Sequence, residues 1–323
     1  METINTISKI LADKLKDGKN LYLHKCLVVC GENSSGKTTL IQKMICELKK
    51  CQSFSFYYIN PYNRVIYDEN CMASKKLQLM TLNSIVENRT NEINLKKDVF
   101  DDMSMGAAVV YNALIDSFEY YKKLFEESIG IKLQLSQSDG SFSSPEITIN
   151  GDKEFSKTSS SEAAKMRLLF EIDYAVSQNA KVIFIDEFDS FLSEDTTVSF
   201  LKKLMDKYPN ISYVISIQAL NPLLQITGFD GALICDTESE ILDNRFVRLF
   251  DIDSIKDVGQ IEKIKRLFEQ VSTSNKLEEI IARIVDTGDL FENDVTYIES
   301  LSRDNLSGRE KILFDYLKEA VSR

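Results

Sequence analysis

The sequence is short of several residue types, and each shortage excludes a class of protein or site. Its 323 residues include one His, no Trp, 4 Pro and 12 Gly. So few Pro and Gly argue against long disordered linkers. The six Cys form no CxxC pair, and with a single His they argue against a structural zinc site. No apolar run is long enough to span a membrane and no secretory leader pattern is present, so we expect a soluble, reduced, cytoplasmic protein.

Basic residues are also in deficit. The chain has 39 Lys and Arg against 50 Asp and Glu, which gives a formal net charge of −11. Proteins that bind nucleic acid non-specifically usually have a basic surface, so the charge disfavours this partner but leaves a local basic patch open. The apolar fraction of 43% supports a sizeable core, and the length fits one large α/β domain with an appendage or two modest domains.

The segment Gly31–Thr39 (GENSSGKTT) fits the P-loop pattern GxxxxGK(S/T). An apolar run, Cys26–Cys30, precedes it and indicates a buried strand, and a helical pattern follows it. Strand, glycine loop and helix in this order predict a phosphate site, in which Lys37 reaches the β- and γ-phosphates of ATP and Thr38 binds Mg²⁺. The predicted phosphate-binding residues are Gly31, Asn33, Ser34, Ser35, Gly36, Lys37, Thr38 and Thr39.

A second motif, Ala180–Glu187 (AKVIFIDE), is an apolar strand that ends in two carboxylates. Ligands bind at the carboxyl end of an open parallel sheet. Asp186 is therefore predicted to hold Mg²⁺ and Glu187 to polarise the attacking water. A third strand, Ile211–Ile217, ends at Gln218, which is either a γ-phosphate sensor or a solvated residue at a strand end.

The remaining patterns predict a helix within residues 1–20, strand material at Leu21–Leu23, and a mostly helical insertion at about 64–130. In that insertion the apolar face of Ala107–Phe125 predicts one long helix. Ile131–Leu135 and Glu146–Ile149 are predicted to pair as a hairpin. We expect an ATPase domain at 1–253 and a helical C-terminal region at 254–323.

The order of these motifs resembles the ATP-binding-cassette (ABC) class of ATPase heads, in particular the SMC-like and OLD-like branch found in DNA repair and bacterial phage defence. In this resemblance Ser159, Ser160, Ser161 and Glu162 stand where the family has its signature motif, with Glu162 24 residues before Asp186. The resemblance implies an α/β P-loop fold with a mostly parallel central sheet, a helical insertion and a small antiparallel lobe. It also implies that two heads bind two ATP molecules between them, with each signature helix facing the partner's P-loop.

Three positions depart from the family pattern. Serines occupy both glycine places of the signature, Ser193 stands where an Asp or His is usual, and Gln218 stands where many members have a switch histidine. These departures bear on the rate of hydrolysis more than on nucleotide binding. Leu306–Lys311 matches the family signature more closely in sequence than Ser159–Glu162 does. It follows Asp186 in the chain, however, whereas the family signature precedes that position, so we interpret it as a capped helix start.

Three hypotheses stay open. The first is an ATPase that forms a homodimer or higher oligomer and acts as a sensor or motor for a protein effector, plausibly in phage defence. The second is an OLD-like nuclease that uses Asp251 and Asp253, and the third is a nucleotide-gated scaffold with slow turnover. The insertion is too short for the coiled-coil arms of the SMC class.

Overall fold

The computed structural model describes residues 2–31, 35–51, 54–67, 81–94, 97–99, 106–136, 146–151, 153–235, 246–255, 261–262, 264–265, 277, 280–281, 284, 292–306 and 308–321. The chain divides into two compact units. Unit 1 comprises Met1–Lys50 and Ser216–Arg323, and unit 2 comprises Cys51–Ile215.

The structure contains both strands and helices along most of its described length. The strands are β1 (Glu2–Thr3), β2 (Leu27–Cys30), β3 (Phe56–Ile59), β4 (Leu133–Ser136), β5 (Glu146–Ile149), β6 (Lys153–Glu154), β7 (Val182–Ile185), β8 (Ser212–Ile217), β9 (Asp230–Cys235) and β10 (Phe246–Asp251). The helices are α1 (Ile4–Lys16), α2 (Lys37–Lys49), α3 (Leu82–Arg89), α4 (Gly106–Asp116), α5 (Phe118–Ile129), α6 (Ser160–Ser177), α7 (Glu194–Lys207), α8 (Leu220–Gln225), α9 (Glu292–Ser300) and α10 (Gly308–Val321).

In unit 1 the hydrogen-bonded strand order is β1-β10-β9-β2. β9 runs parallel to β2, whereas β10 is antiparallel to both of its neighbours. β2 is buried along its whole length, as a parallel strand covered on both faces should be. Helix α1 packs against α2 through an apolar face that includes Leu11 and Leu15. Ile10, which the helical spacing places on that face, is instead 36% exposed.

In unit 2 the strands β3, β7 and β8 are parallel neighbours, with Ile59 beside Ile185 and Ile185 beside Ile215. A separate antiparallel sheet is formed by β4, β5 and β6. The predicted α/β fold, with a mostly parallel sheet and a small antiparallel lobe, is confirmed. The parallel register also aligns the carboxyl ends of β3 and β7, which places the turn after β3 beside Asp186.

Two local predictions are wrong. Leu21–Leu23 is not a strand, because the buried carboxylate of Asp230 accepts the N–H groups of Tyr22, Leu23 and His24 and bends this segment. The single helix expected at Ala107–Phe125 is two helices, which break at Ser117 where φ is −124° and ψ is 40°. The apolar pattern continues across the break and gave no sign of it.

The C-terminal helices form a small apolar core of their own within unit 1. α9 and α10 contribute Ile298, Phe314 and Leu317 to a buried cluster that also includes Leu277 and Ile280. α9 lies within the C-terminal region predicted to be helical, although no separate helix was predicted at its position. Within the described residues no helix is both long and apolar enough to cross a membrane.

Candidate functional site

The base of the P-loop is fixed to the end of β8 within unit 1. The Gly31 N–H donates to the carbonyl oxygen of Ile217 at 3.3 Å, and the Lys37 ammonium donates to the Gly31 carbonyl oxygen. A Cβ atom on Gly31 would lie 2.5 Å from the Ser35 Oγ. Only glycine therefore fits at this position without displacing Ser35.

Helix α2 starts in a way that suits an anion. Its N-cap, Gly36, has φ of 104° and caps the helix with no side chain, whereas α1, α6 and α7 are capped by their own hydroxyl residues. The N-terminus of a helix carries a partial positive charge, which attracts anions. The buried Ser35 Oγ also has no hydrogen-bond partner in the described part of the chain. Both features fit a phosphate group.

The structure places the remaining predicted P-loop residues as follows. Lys37 is buried, Thr38 is half-buried and Thr39 is exposed. Asn33 and Ser34 lie outside the described residues.

Gln218 lies beside the base of the P-loop. The Cys30 Sγ donates to the carbonyl oxygen of Ala219 at 3.4 Å and approaches that of Gln218 at 3.9 Å. The main chain of Gln218 therefore lies next to the strand that leads into Gly31. Sequence reasoning had placed Gln218 at the end of its strand, and β8 does end one residue before it.

Asp186 is fully buried at the carboxyl end of β7 in unit 2. Its N–H donates to the carbonyl oxygen of Ile59 at 2.9 Å, which extends the ladder between β7 and β3. The Tyr58 hydroxyl is close enough to the Asp186 carboxylate to be affected by its charge. Burial, and then the negative charge of Asp186, hold the pKa of Tyr58 well above its usual range. Tyr58 therefore stays protonated beside the Asp186 side chain.

Glu187 adopts a backbone conformation that a glutamate rarely takes. Its φ is +51°, in the left-handed region that costs a residue with a side chain on the order of 1–2 kcal/mol. The Ser190 N–H donates to the Glu187 carbonyl oxygen at 3.0 Å, and the Ser190 hydroxyl donates to Glu187 Oε2 at 3.2 Å. Such strain is typical of functional sites, because the surrounding structure must hold the residue in place.

Arg64 provides much of that support, and sequence reasoning missed it. Its side chain is fully buried and donates to four carbonyl oxygens, those of Asn60, Asn63, Asp186 and Glu187, at 2.7–3.1 Å. Burial lowers the pKa of Arg64 to about 10, so it stays charged at neutral pH. Only its position in the sequence could have indicated a role for Arg64. It follows β3, which ends at the same edge of the sheet as β7 and Asp186.

Helix α6 begins with a closed capping box at the candidate signature. The Ser159 Oγ accepts from the Glu162 N–H at 3.3 Å, and Glu162 Oε2 accepts from the Ser159 N–H at 3.1 Å and from the Lys153 ammonium at 2.7 Å. The Lys153 hydrogen bond above all lowers the pKa of Glu162 to about 2. The side chains of Ser159 and Glu162 are thus used within the chain, while Ser160 is exposed and Ser161 half-buried.

A buried ionic network links α6 to the turn that contains Arg64, whose side chain bonds to the main chain of Asp186. Glu171 accepts from Arg89 at 2.6 Å and from Arg167 at 2.6 Å, with all three side chains fully buried. Arg167 also bonds Asp98, whose carboxylate accepts from the Asn63 amide one residue before Arg64. The contacts run without interruption from the helix to the turn that holds Asp186.

A cavity of about 200 Å³ in unit 2 lies at the meeting point of these parts. It is lined by Arg64 from the turn, Ser160 from the start of α6, and Phe191 from the segment after Glu187. Phe191 is 62% exposed and has φ of +65°.

The other segment that resembles the signature, Leu306–Lys311, falls on the start of α10, and its predicted cap Ser307 lies outside the described residues.

A family model described as the ATPase family associated with various cellular activities (AAA) matches residues 135–240. This range includes Ser159–Glu162, Asp186, Glu187 and Gln218 and lies downstream of the P-loop. Comparison with the curated proteins gives no match.

Among solved structures the chain is similar to an ABC transporter of the metal-chelate type in an inward-facing conformation, at 16% identity and a TM-score of 0.39, over 76% of this chain and 79% of the other. It is similar to an SMC ATPase studied for ATP-driven dimerisation and DNA-stimulated activation, at 18% identity and a TM-score of 0.34, over 48% and 96%. A third similar structure is an SMC head bound to the C-winged helix domain of ScpA, at 13% identity and a TM-score of 0.37, over 70% and 90%. TM-scores this low carry no argument about function.

Proposed function

We propose that this P-loop ATPase of the ABC/SMC-like type binds Mg²⁺-ATP, closes into a homodimer or higher oligomer around it, and serves a protein partner as a sensor or motor. The observation that carries the proposal is the geometry on either side of the P-loop, where Gly31 bonds to the end of β8 and Gly36, at φ of 104°, leads directly into α2. A nucleotide phosphate binds favourably at a helix N-terminus entered in this way, because the helix dipole places partial positive charge there.

The proposed roles follow the chemistry of each side chain. Lys37 reaches the β- and γ-phosphates, and Thr38 and Asp186 hold Mg²⁺, which neutralises charge on the phosphates when bound. Glu187 polarises the attacking water from its strained position. Gln218 senses the γ-phosphate from the strand end beside the P-loop.

The proposed dimer depends on the start of α6. Because Ser159 and Glu162 cap the helix, the groups left for a partner's γ-phosphate are the hydroxyls of Ser160 and Ser161 and the main chain of the first turn. Contacts that exist only in the closed dimer favour that dimer when ATP is bound. We place this activity in the cytoplasm and in phage defence on the resemblance to SMC-like and OLD-like ATPases, and the acidic chain favours a protein effector over nucleic acid.

The direct test is ATP affinity in a pair of matched variants. Lys37→Ala removes the phosphate-contacting ammonium, and Lys49→Ala removes an exposed ammonium at the other end of the same helix. We expect Lys37→Ala to weaken ATP binding at least tenfold and Lys49→Ala to leave it unchanged, by titration calorimetry. Unchanged affinity in Lys37→Ala would refute the proposed site.

Slow turnover is a variant of this proposal, favoured by the serines at positions 160 and 161. Phosphate release measured with and without a candidate partner or DNA distinguishes a slow scaffold from a fast ATPase.

The nuclease remains a second candidate, because Asp251 and Asp253 lie together at the end of β10. A Mg²⁺- or Mn²⁺-dependent nuclease assay on the purified chain decides that question.

A further inference from the structure

The only histidine of the sequence meets two aspartates in unit 1. The Nε2 atom of His24 lies 3.3 Å from Asp251 Oδ1 and 3.5 Å from Asp253 Oδ2. One ligating atom from each of the three side chains lies within 4.8 Å of the other two. All three side chains are half-buried, so they are open to small solutes but partly shielded from bulk water.

Two of these residues bond to groups outside the cluster, and the two aspartates bond to each other. The His24 N–H donates to the fully buried Asp230 carboxylate at 3.0 Å. Asp251 Oδ1 accepts from the Asp253 N–H at 3.0 Å, and the Asp253 carboxylate accepts from the Gly228 N–H at 3.0 Å. Asp230 and Gly228, which lie outside the cluster, therefore position the main chain of His24 and the carboxylate of Asp253.

The two distances from His24 to the carboxylate oxygens suit a bound metal ion. Bonds from zinc to imidazole nitrogen and carboxylate oxygen are about 2.0–2.2 Å, so neighbouring ligands of a tetrahedral ion lie about 3.3–3.6 Å apart. The two distances from His24 fall in this range. Charge-assisted hydrogen bonds are shorter, at about 2.7–2.9 Å, and the single proton on Nε2 can point at only one carboxylate.

We propose that His24, Asp251 and Asp253 bind a divalent transition-metal ion of the zinc class, with one nitrogen and two oxygen ligands and solvent in the fourth position. This set differs from the Cys- and His-rich set of a structural zinc site, which the sequence argues against. It favours Zn²⁺ or Co²⁺ over Mg²⁺, which prefers six oxygen ligands in an octahedron. The site is separate from the Mg²⁺ predicted at Thr38 and Asp186 and does not depend on the proposed ATPase mechanism.

Such an ion would cross-link the segment before β2 to the end of β10. His24 lies three residues before β2, the strand that leads into the P-loop, and Asp251 is the last residue of β10. The buried Asp230 carboxylate already bonds the same segment by three N–H groups. The ion would therefore add a second connection between this segment and the sheet, next to the strand that leads into the P-loop.

The test uses the full-length, nucleotide-free chain and Co²⁺ as an optical probe, followed by competition with Zn²⁺. We expect one equivalent of Co²⁺ with the visible absorption of a four-coordinate ion, displaced by Zn²⁺. His24→Gln and Asp253→Asn should each weaken binding by more than the 10–100-fold that loss of an outer-shell partner costs. Asp13→Asn, which removes an exposed carboxylate of α1, is the charge-matched control and should bind normally.

Cysteine thiolates are the competing ligands, since Cys46 is an exposed free thiol. Thiolate–Co²⁺ complexes have a strong near-ultraviolet band that a nitrogen and oxygen site lacks. That band, or Co²⁺ binding that persists in both His24→Gln and Asp253→Asn, would overturn the proposal. So would the absence of binding in the parent chain. Zn²⁺ should also raise the melting temperature of the parent chain but not of folded His24→Gln.

Discussion

Arg64 donates a hydrogen bond from its buried guanidinium to the main-chain carbonyl oxygen of Asp186 at 2.7 Å. A second bond from the same nitrogen reaches the Glu187 carbonyl oxygen at 3.1 Å. One cation therefore bridges the two residues predicted to handle Mg²⁺ and water. The left-handed backbone of Glu187 needs this support, because the surrounding contacts must offset its strain.

Arg64→Lys should lower both stability and turnover. A lysine has a single nitrogen and cannot reach all four carbonyl oxygens, so at least one buried hydrogen bond to a charged group is lost, at a cost of about 1.5–3 kcal/mol. We expect urea unfolding to show this loss in the free energy of unfolding, and kcat to fall more than ATP affinity. Arg303→Lys, at an exposed ion pair, should change neither. A normal kcat in folded Arg64→Lys would contradict the positioning role.

Glu187→Gly should separate stability from function. Glycine accepts φ of +51° without steric cost, so the substitution relieves a strain of about 1–2 kcal/mol. Glycine also loses more chain entropy on folding, which costs about 0.5–1 kcal/mol and offsets part of that gain. We expect thermal and urea unfolding to show stability unchanged or slightly raised, while ATP hydrolysis is lost. A loss of stability above about 1 kcal/mol would indicate that the Glu187 side chain stabilises the fold.

Glu171→Gln should be strongly destabilising. The substitution leaves Arg89 and Arg167 buried without their shared carboxylate, and breaking a buried ion pair on one side costs about 3–5 kcal/mol. Burial of the three groups together makes this network far more sensitive than a surface pair. Removal of the exposed Arg303–Asp315 pair by Arg303→Ala is the comparison, and its unfolding curve should overlay that of the parent chain.

The capping box of α6 should give a pH-dependent contribution to stability. The pKa of Glu162 is about 2 in the folded chain and lies near 4.5 without the Lys153 and Ser159 contacts. A lowered carboxyl pKa stabilises the fold above the unfolded value and loses that effect as pH falls toward the folded value. The stability difference between the parent chain and Glu162→Gln should therefore be constant from pH 7 to about 5 and shrink below about 4.5. A difference independent of pH down to 3 would contradict this assignment.

The sequence predicted those parts of the fold that follow from continuous apolar runs and local signals. β2, β7 and β8 each lie within a predicted strand, and Asp186 and Glu187 follow β7 as expected. The P-loop was found because its glycines and Lys37 form a local motif. The capping of α6 by Ser159 was equally local, since it needs only residues three positions apart.

The rest depends on contacts between distant residues, which one sequence does not reveal. His24 and Asp251 are 227 positions apart, and although the spacing of Asp251 and Asp253 drew attention, nothing in the sequence connects them with His24. Arg64 binds carbonyl oxygens 122 and 123 positions away, and main-chain acceptors have no residue type to recognise. The division into Cys51–Ile215 and the remaining chain likewise follows from tertiary packing.

The central claim, ATP-dependent dimerisation, is tested most directly by the molar mass of Glu187→Gln in solution, measured by light scattering with and without Mg²⁺-ATP. This variant keeps the backbone contacts of Glu187 and removes the carboxylate predicted to polarise water, so bound ATP should persist. We expect the mass of one chain without nucleotide and of two or more chains with Mg²⁺-ATP. The same mass under both conditions, in a variant that demonstrably binds ATP, would contradict it.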